Sequence, residues 1–418
     1  MAQIMIAHKE INLKLSKSKK MRKKIFSTLT VAALVLISCS NKNETTSPEP
    51  NPRETKSVYL QIDFASKSKT KSDEPSQAGE AAPLYSALIY FLDGAADPIV
   101  FDYRTISANG NPSVTELEEG YRFDGIPSSV TQVYVIGNYN TVDMQGDGST
   151  FPMVDGIPLS QIQEVVLNIE QNNHGALRDA TTVDGLLTLM DGRDTIDEYV
   201  VGSNTWNGDE ALTAGDLYAN VEISPIVARI EIDEIEYTGT LLQSMTIEGI
   251  YINYYYQQTT LDLDYTNYSY TDNGSDVSNY DSDPENDDFA YRYYMSMFDQ
   301  INNRIVVANG RTTEPDNGTW AYHVFGDSSP VPHIILKVTD IVAVNNNQVI
   351  GTRYVTVKGY LDSGNDEVTE FDRNTIYRIA TLQFSDDDLE IFPETESKNV
   401  WVHVEVAPWV VETVTPII

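Results

Sequence analysis

The chain has one cysteine in 418 residues, Cys39. A single thiol builds neither a disulfide framework nor a cysteine-based zinc site. Histidine is almost as scarce. His8, His174, His323, His333 and His403 are scattered, with no H-E-x-x-H and no H-x-H pair, so no His-rich metal centre is expected. Nor is there a G-x-S-x-G, a G-x-x-x-x-G-K-[ST] or a G-x-G-x-x-G after a strand, which removes the common nucleophile elbows and phosphate cradles. No catalytic residue, metal or cofactor is assigned. Basic charge is outweighed over most of the chain. Lys and Arg number 28 against 62 Asp and Glu, and eight of the basic residues lie before residue 25. From Ser40 onward, 20 basic and 61 acidic residues leave a net charge of −41, which repels nucleic acid and anionic membrane surfaces.

What is present begins with a targeting segment. Met21-Arg22-Lys23-Lys24 precedes an uncharged run from Ile25 to Ser38, too short for a membrane span of about 20 apolar residues. Residues 1–39 read as a secretory signal peptide, with 1–20 expected to lie upstream of the true start at Met21. Its end, Leu36-Ile37-Ser38-Cys39, resembles a bacterial lipobox, which implies lipidation of Cys39 and a membrane anchor without a transmembrane helix. Residues 40–56, with Pro48, Pro50 and Pro52 among polar neighbours, form a tether with nothing to bury.

Beyond the tether, hydrophobic residues alternate with period two and helical periodicity is rare. In Ser57 to Phe64, the residues Val58, Leu60, Ile62 and Phe64 make one fully apolar face. Further strands are expected at 84–92, 121–123, 132–138, 165–169, 217–223, 227–235, 245–256, 333–338, 352–360, 376–384 and 400–406, with one short helix near 159–164. Many strands, frequent Asp-Gly and Asn-Gly turns and no βαβ rhythm predict an all-β chain of two tandem sandwiches. The first domain is placed at 57–220 and the second at 221–418. Ser224-Pro225 interrupts the β pattern near that boundary.

Six stretches in this order resemble the fimbrillin family of Bacteroidales, the subunits of type V pili that include the FimA and Mfa stalk pilins. They are the lipobox with its first strand and the loop Ser66 to Lys71; Ala87 to Gly94; Gln132 to Asn138; Pro225-Ile226-Val227-Ala228-Arg229-Ile230; Tyr322 to Phe325 with Pro332 to Leu336; and Asn374 to Phe384 with Val402 to Trp409. The resemblance spans residue 21 to the end and implies Greek-key, transthyretin-like sandwiches. It also implies a pilin that is exported as an outer-membrane lipoprotein by the lipoprotein machinery and cut by a surface trypsin-like protease. The cut releases strand 57–66, and a strand from another fimbrial subunit fills the groove. The mature form then belongs to a fimbrium on the cell surface and supports adhesion.

Loss of a strand exposes unpaired backbone and a stripe of core, which is the requirement for strand addition. Burial of Val58, Leu60, Ile62 and Phe64 is worth roughly 6 to 12 kcal/mol as an upper estimate. The expected donor is the segment 410–418, with Val410, Val411, Val414, Ile417 and Ile418 as its apolar residues. Val410, Val414 and Ile418 share a face with Glu412 and Pro416, and Val411 and Ile417 lie on the other. The loop departs from the family pattern. Residues 65–83 hold no Arg, so Lys67, Lys69 and Lys71 are the candidate cleavage positions. A solvated loop is the plain alternative.

Eleven of the 25 tyrosines fall between Tyr251 and Tyr294. Cross-strand packing explains them without further assumption, and an adhesive surface is the alternative. The acidic runs 281–288 and 386–388 read as solvated loops. The competing functional reading is a non-polymerising surface lipoprotein, a fimbrial anchor, tip or glycan-binding module. A secreted hydrolase lacks a catalytic constellation.

Overall fold

The computed structural model describes residues 54–64, 81–139, 151–169, 188–202, 206, 208–209, 211–268, 297–315, 319–345, 348–391, 393, 400–408 and 410–413. Its first half holds β1 (Thr55–Phe64), β2 (Ala81–Leu84), β3 (Ser86–Leu92), β4 (Val100–Ser107), β5 (Tyr121–Pro127), β6 (Gln132–Gly137), β7 (Val166–Asn168), β8 (Met190–Thr195), β9 (Asp197–Glu198) and β10 (Leu217–Pro225). Two short helices, α1 (Val114–Glu119) and α2 (Leu159–Gln163), interrupt them. The second half continues with β11 (Val227–Ile232), β12 (Ile235–Tyr237), β13 (Leu242–Asn253), β14 (Gln258–Thr260), β15 (Met297–Val306), β16 (Thr312–Thr313), β17 (Trp320–Phe325) and β18 (His333–Ala343). It closes with β19 (Val349–Ile350), β20 (Arg353–Leu361), β21 (Thr375–Ile379), β22 (Leu382–Phe384), β23 (Val400–His403), β24 (Glu405–Pro408) and β25 (Val410–Thr413). The chain is nearly all β, as its periodicity predicts.

In the first half an eight-stranded sheet runs β4-β3-β6-β8-β10-β1-β5, with β9 also on β10. The second half is built on a four-stranded sheet β17-β11-β21-β24, a three-stranded sheet β16-β12-β22, and a six-stranded sheet β15-β13-β18-β20-β23 with β19 on β18. Sheet membership changes between Pro225 and Val227. Pro225 still pairs with Met190 of β8, whereas Val227 pairs with Phe325 of β17. One hydrophobic cluster nonetheless includes residues from both halves.

Four expected single strands are pairs of shorter ones, each broken where the chain changes partner. At 84–92 the break is Tyr85, whose N–H donates to the Asn138 side chain (2.9 Å). Asn138 also donates to the Thr188 carbonyl and adopts a left-handed φ of 55°, so the residue that ends β6 ties three segments together. The runs 227–235 and 376–384 break together: β11 and β21 pair in parallel, and β12 and β22 pair in parallel in the neighbouring sheet. The stretch 400–406 crosses between sheets at Val404, from β23 on β20 to β24 on β21.

The Ala228-Arg229 motif places charge inside the second half. Arg229 and Glu231 on β11 form a 2.8 Å ion pair with side chains 5% and 2% exposed. His323 registers opposite Arg229 on β17, and burial, with the Arg229 charge adding to it, pushes its pKa well down.

Five of the tyrosines described between 251 and 268, Tyr251, Tyr254, Tyr255, Tyr256 and Tyr265, pack internally. Tyr251 stacks on Phe298 (4.4 Å between centroids), Tyr254 on His333 (4.0 Å) and Tyr256 on Tyr265 (4.3 Å). Tyr270, Tyr280, Tyr291, Tyr293 and Tyr294 lie outside the described residues.

Candidate functional site at the first strand

β1 is the first strand of the body in sequence, yet it is interior to its sheet. One edge pairs in parallel with β10, from Tyr59 opposite Tyr218 to Phe64 opposite Ile223. The other pairs antiparallel with β5, from Thr55 opposite Pro127 to Leu60 opposite Tyr121, with a bulge between Lys56 and Val58. Among the described residues, β5 is hydrogen-bonded to the rest of the sheet through β1 alone.

The two faces of β1 do different things. Inward, Val58 and Leu60 are 0% exposed and Ile62 is 1% exposed. Burial of these three contributes roughly 5 to 9 kcal/mol as an upper estimate. Phe64 lies in β1 opposite Ile223, with its side chain outside the described residues.

Outward, the strand is tethered by polar and aromatic contacts. The Tyr59 ring meets Trp206 edge-on at 6.2 Å, and Trp206 meets Tyr218 in the same way at 5.9 Å. Arg122 sits 5.8 Å above Tyr59, a cation–π geometry. Gly120, at φ 95°, lets Trp206 in, since a Cβ there would lie 2.6 Å from the indole. Gln61 is 8% exposed and donates to the Glu118 carbonyl at the end of α1 (3.0 Å).

Charged groups close the start of the strand. Ser57 Oγ donates to Asp124 (2.6 Å), and Arg122 pairs with the same carboxylate (2.9 Å). The Ser57 bond, with Arg122 adding to it, holds the Asp124 pKa below the ordinary value. Lys56 donates to the Val130 carbonyl (2.5 Å), and burial lowers its pKa. On the far edge of β10, Asp194 accepts from the Asn220 N–H (2.9 Å), and burial raises its pKa despite that bond.

The last strand lies nearby. β25 pairs in parallel with β2, Ala81 opposite Val410 through Leu84 opposite Thr413, and its Cα atoms come within 8 Å of β1 and α1. Val410 and Val411 therefore register opposite Ala81 and Ala82 of the same chain. Cys39, Lys67, Lys69, Lys71, Val414, Ile417 and Ile418 lie outside the described residues.

The sequence reading missed the outward set of Ser57, Tyr59 and Gln61, with Arg122, Asp124 and Trp206. The alternation of β1 announces that these side chains point away from Leu60. Nothing local announces that a ring from residue 206 and a helix end meet them there. It also missed α1, although Ser113 and Glu116 form a complete capping box. Chemically the arrangement has one capability. Withdrawal of β1 would leave unpaired edges on β10 and β5 and an apolar slot between them.

No family profile matches the chain, and no curated protein matches it. Solved structures do. A candidate cell adhesion protein from Parabacteroides distasonis ATCC 8503 has a TM-score of 0.46 at 13% identity, covering 85% of this chain and 97% of that one. A fimbrilin (FimA) from Porphyromonas gingivalis W83 has a TM-score of 0.48 at 14% identity, covering 86% and 99%. The fold itself is shared with a candidate cell adhesion protein from Bacteroides eggerthii DSM 20697, at a TM-score of 0.50, 12% identity and coverage of 88% of this chain and 99% of that one.

Proposed function

We propose that the chain is a structural subunit of a cell-surface fimbria, exported as a lipoprotein through Cys39 and polymerised by strand exchange after its first strand is cut away. The observation that carries this is the position of β1, sequence-terminal in the body yet held on both edges inside a sheet. A terminal strand can be removed by one cut, and an interior strand leaves a slot that backbone pairing from another chain can refill. Lys67, Lys69 and Lys71 are the cleavage positions for a trypsin-like surface protease. Segment 410–418 of a second subunit is the refilling strand. The protein acts by association, with other fimbrial subunits as partners, and not by catalysis.

Sequencing the mature N-terminus from cells tests this. A start within residues 68–72, together with fibres in electron micrographs, is the expected result. A start at acylated Cys39 alone would overturn it in favour of the second reading, a non-polymerising anchor, tip or glycan-binding lipoprotein. That reading has its own support in β25, which pairs with β2 of its own chain.

A further inference from the structure

The slot that β1 fills has an outer wall that belongs to the body and not to β1. Trp206 lies between β9 and β10, where its indole packs against Gly120 and Gly208 and meets Tyr218 of β10 edge-on at 5.9 Å. The Asp209 N–H donates to the Glu119 carbonyl (2.7 Å), which fastens this segment to the end of α1. Arg122 of β5 is held by Asp124 (2.9 Å). None of these contacts involves β1. Trp206, Tyr218, Arg122 and the end of α1 therefore keep their mutual support when the strand between them leaves.

β1 itself shows what this wall accepts. The Tyr59 ring stands at 73° to Trp206, 6.2 Å between centroids, with Arg122 5.8 Å above it. An aromatic ring answers both neighbours at once, because its π face attracts the cation and its edge suits a tilted aromatic pair. Two residues on, along the same outward face, the Gln61 amide donates to the Glu118 carbonyl (3.0 Å). Register fixes the spacing, since Tyr59 lies opposite both Tyr218 and Arg122, and Gln61 lies opposite Asn220. The wall thus reads a ring and then a hydrogen-bond donor, while the core side reads the alternating apolar residues.

The chain's own tail does not match that pattern. Segment 410–418 contains no aromatic residue and no side-chain amide. Trp409 precedes it, but with Trp409 at the position of Tyr59 and the polarity of β1, Glu412 falls at the buried site of Ile62. With the reverse polarity, 410–418 runs away from the sites of Leu60 and Ile62. A carboxylate beside Arg122 would compete with Asp124, which already holds the guanidinium.

We propose that the notch formed by Trp206, Tyr218 and Arg122 is a selectivity site that ranks the strands able to refill the slot. It favours an extended segment with an aromatic side chain at the position of Tyr59, supplied by a subunit other than this chain. The inference rests on strand exchange as the mode of assembly. A tail from a second copy enters without the outward contacts, and a strand that carries the ring displaces it.

The test is peptide exchange on the full chain, nicked by limited trypsin treatment between Lys67 and Lys71, with the protease then inhibited. Anisotropy of a fluorescein-labelled 54–66 peptide reports entry into the slot, and unlabelled peptides compete with it. The 54–66 peptide and its Y59F variant are expected to compete equally. The Y59A variant and the 410–418 peptide are each expected to need about tenfold higher concentration or more. In the Trp206→Ala chain the Y59A penalty is expected to shrink to about twofold or less. The peptide variants leave the body untouched, so their ranking on the wild-type chain stands whether or not Trp206→Ala folds. Full competition by Y59A or by 410–418, or an undiminished Y59A penalty in a folded Trp206→Ala chain, would each overturn the proposal. Entry of no peptide at all would overturn strand exchange and this selectivity with it, whereas entry without discrimination overturns the selectivity alone.

Discussion

β1 and β25 are the first and last described strands of the body, and both run parallel to a partner, but they are held very differently. β1 pairs with β5 from Thr55 to Leu60 and with β10 from Tyr59 to Phe64, and its described inward residues Val58, Leu60 and Ile62 are at most 1% exposed. β25 is four residues long and pairs with the four residues of β2. The sequence difference behind this is parity. In β1 every second residue from Val58 is apolar, so one face can be buried whole. In 410–418 Glu412 and Pro416 share the face of Val410 and Val414, so a buried face there costs a carboxylate desolvation or leaves threonines inside. A strand with one clean face belongs in a sheet interior, and one with two mixed faces belongs at a margin from which it can be taken.

The largest effect that could break this contrast is in the core face. Leu60→Ala is expected to destabilise the protein by about 2 to 5 kcal/mol in urea unfolding, through lost burial and the cavity left behind. Deletion of residues 410–418 is expected to change stability by no more than about 0.5 kcal/mol. Equal losses in the two variants would abolish the distinction. A middle-sized effect is expected on the outward face. Tyr59→Ala removes the edge contact with Trp206 and the Arg122 cation–π contact, together worth about 1 to 2 kcal/mol. A cost near that of Leu60→Ala would mean the outer contacts hold the strand as firmly as the core does.

The smallest effect is a pH dependence at the start of β1. Asp124 is pulled down in the folded state, chiefly by Ser57, so its contribution is present above the unfolded carboxylate value of 3.8 and is lost as pH falls through the lower folded value. Ser57→Ala is expected to raise the Asp124 pKa, followed by carboxyl NMR, and to flatten acid loosening of β1. An unchanged titration would show that Arg122 alone holds the carboxylate.

Much of the fold was legible because alternation is a local property. β1, β3, β6, β10, β13 and β20 all follow from period-two runs, and α2 falls where a short helix is expected. The breaks at Tyr85, at residues 233–234, at residues 380–381 and at Val404 were not legible, because each marks a change of partner strand and partners are distant in sequence. The Tyr-rich segment illustrates the same limit: Tyr251 packs against Phe298 across a strand pair, a contact that composition cannot distinguish from an exposed aromatic surface.

The sequence by itself determined that the chain is β-rich, that a net-positive stretch and the single cysteine lie at the front of an otherwise acidic chain, and that the strand after the tether has one entirely apolar face. Those are properties of single residues and of spacing along the chain. The tertiary structure alone decided that this strand lies between β10 and β5, that Trp206 and Arg122 cover its outer side, and that β25 comes close to it. Strand order and polarity arise from pairings between segments distant in sequence, such as Tyr59 of β1 with Tyr218 of β10. No local pattern encodes which edge a strand will meet.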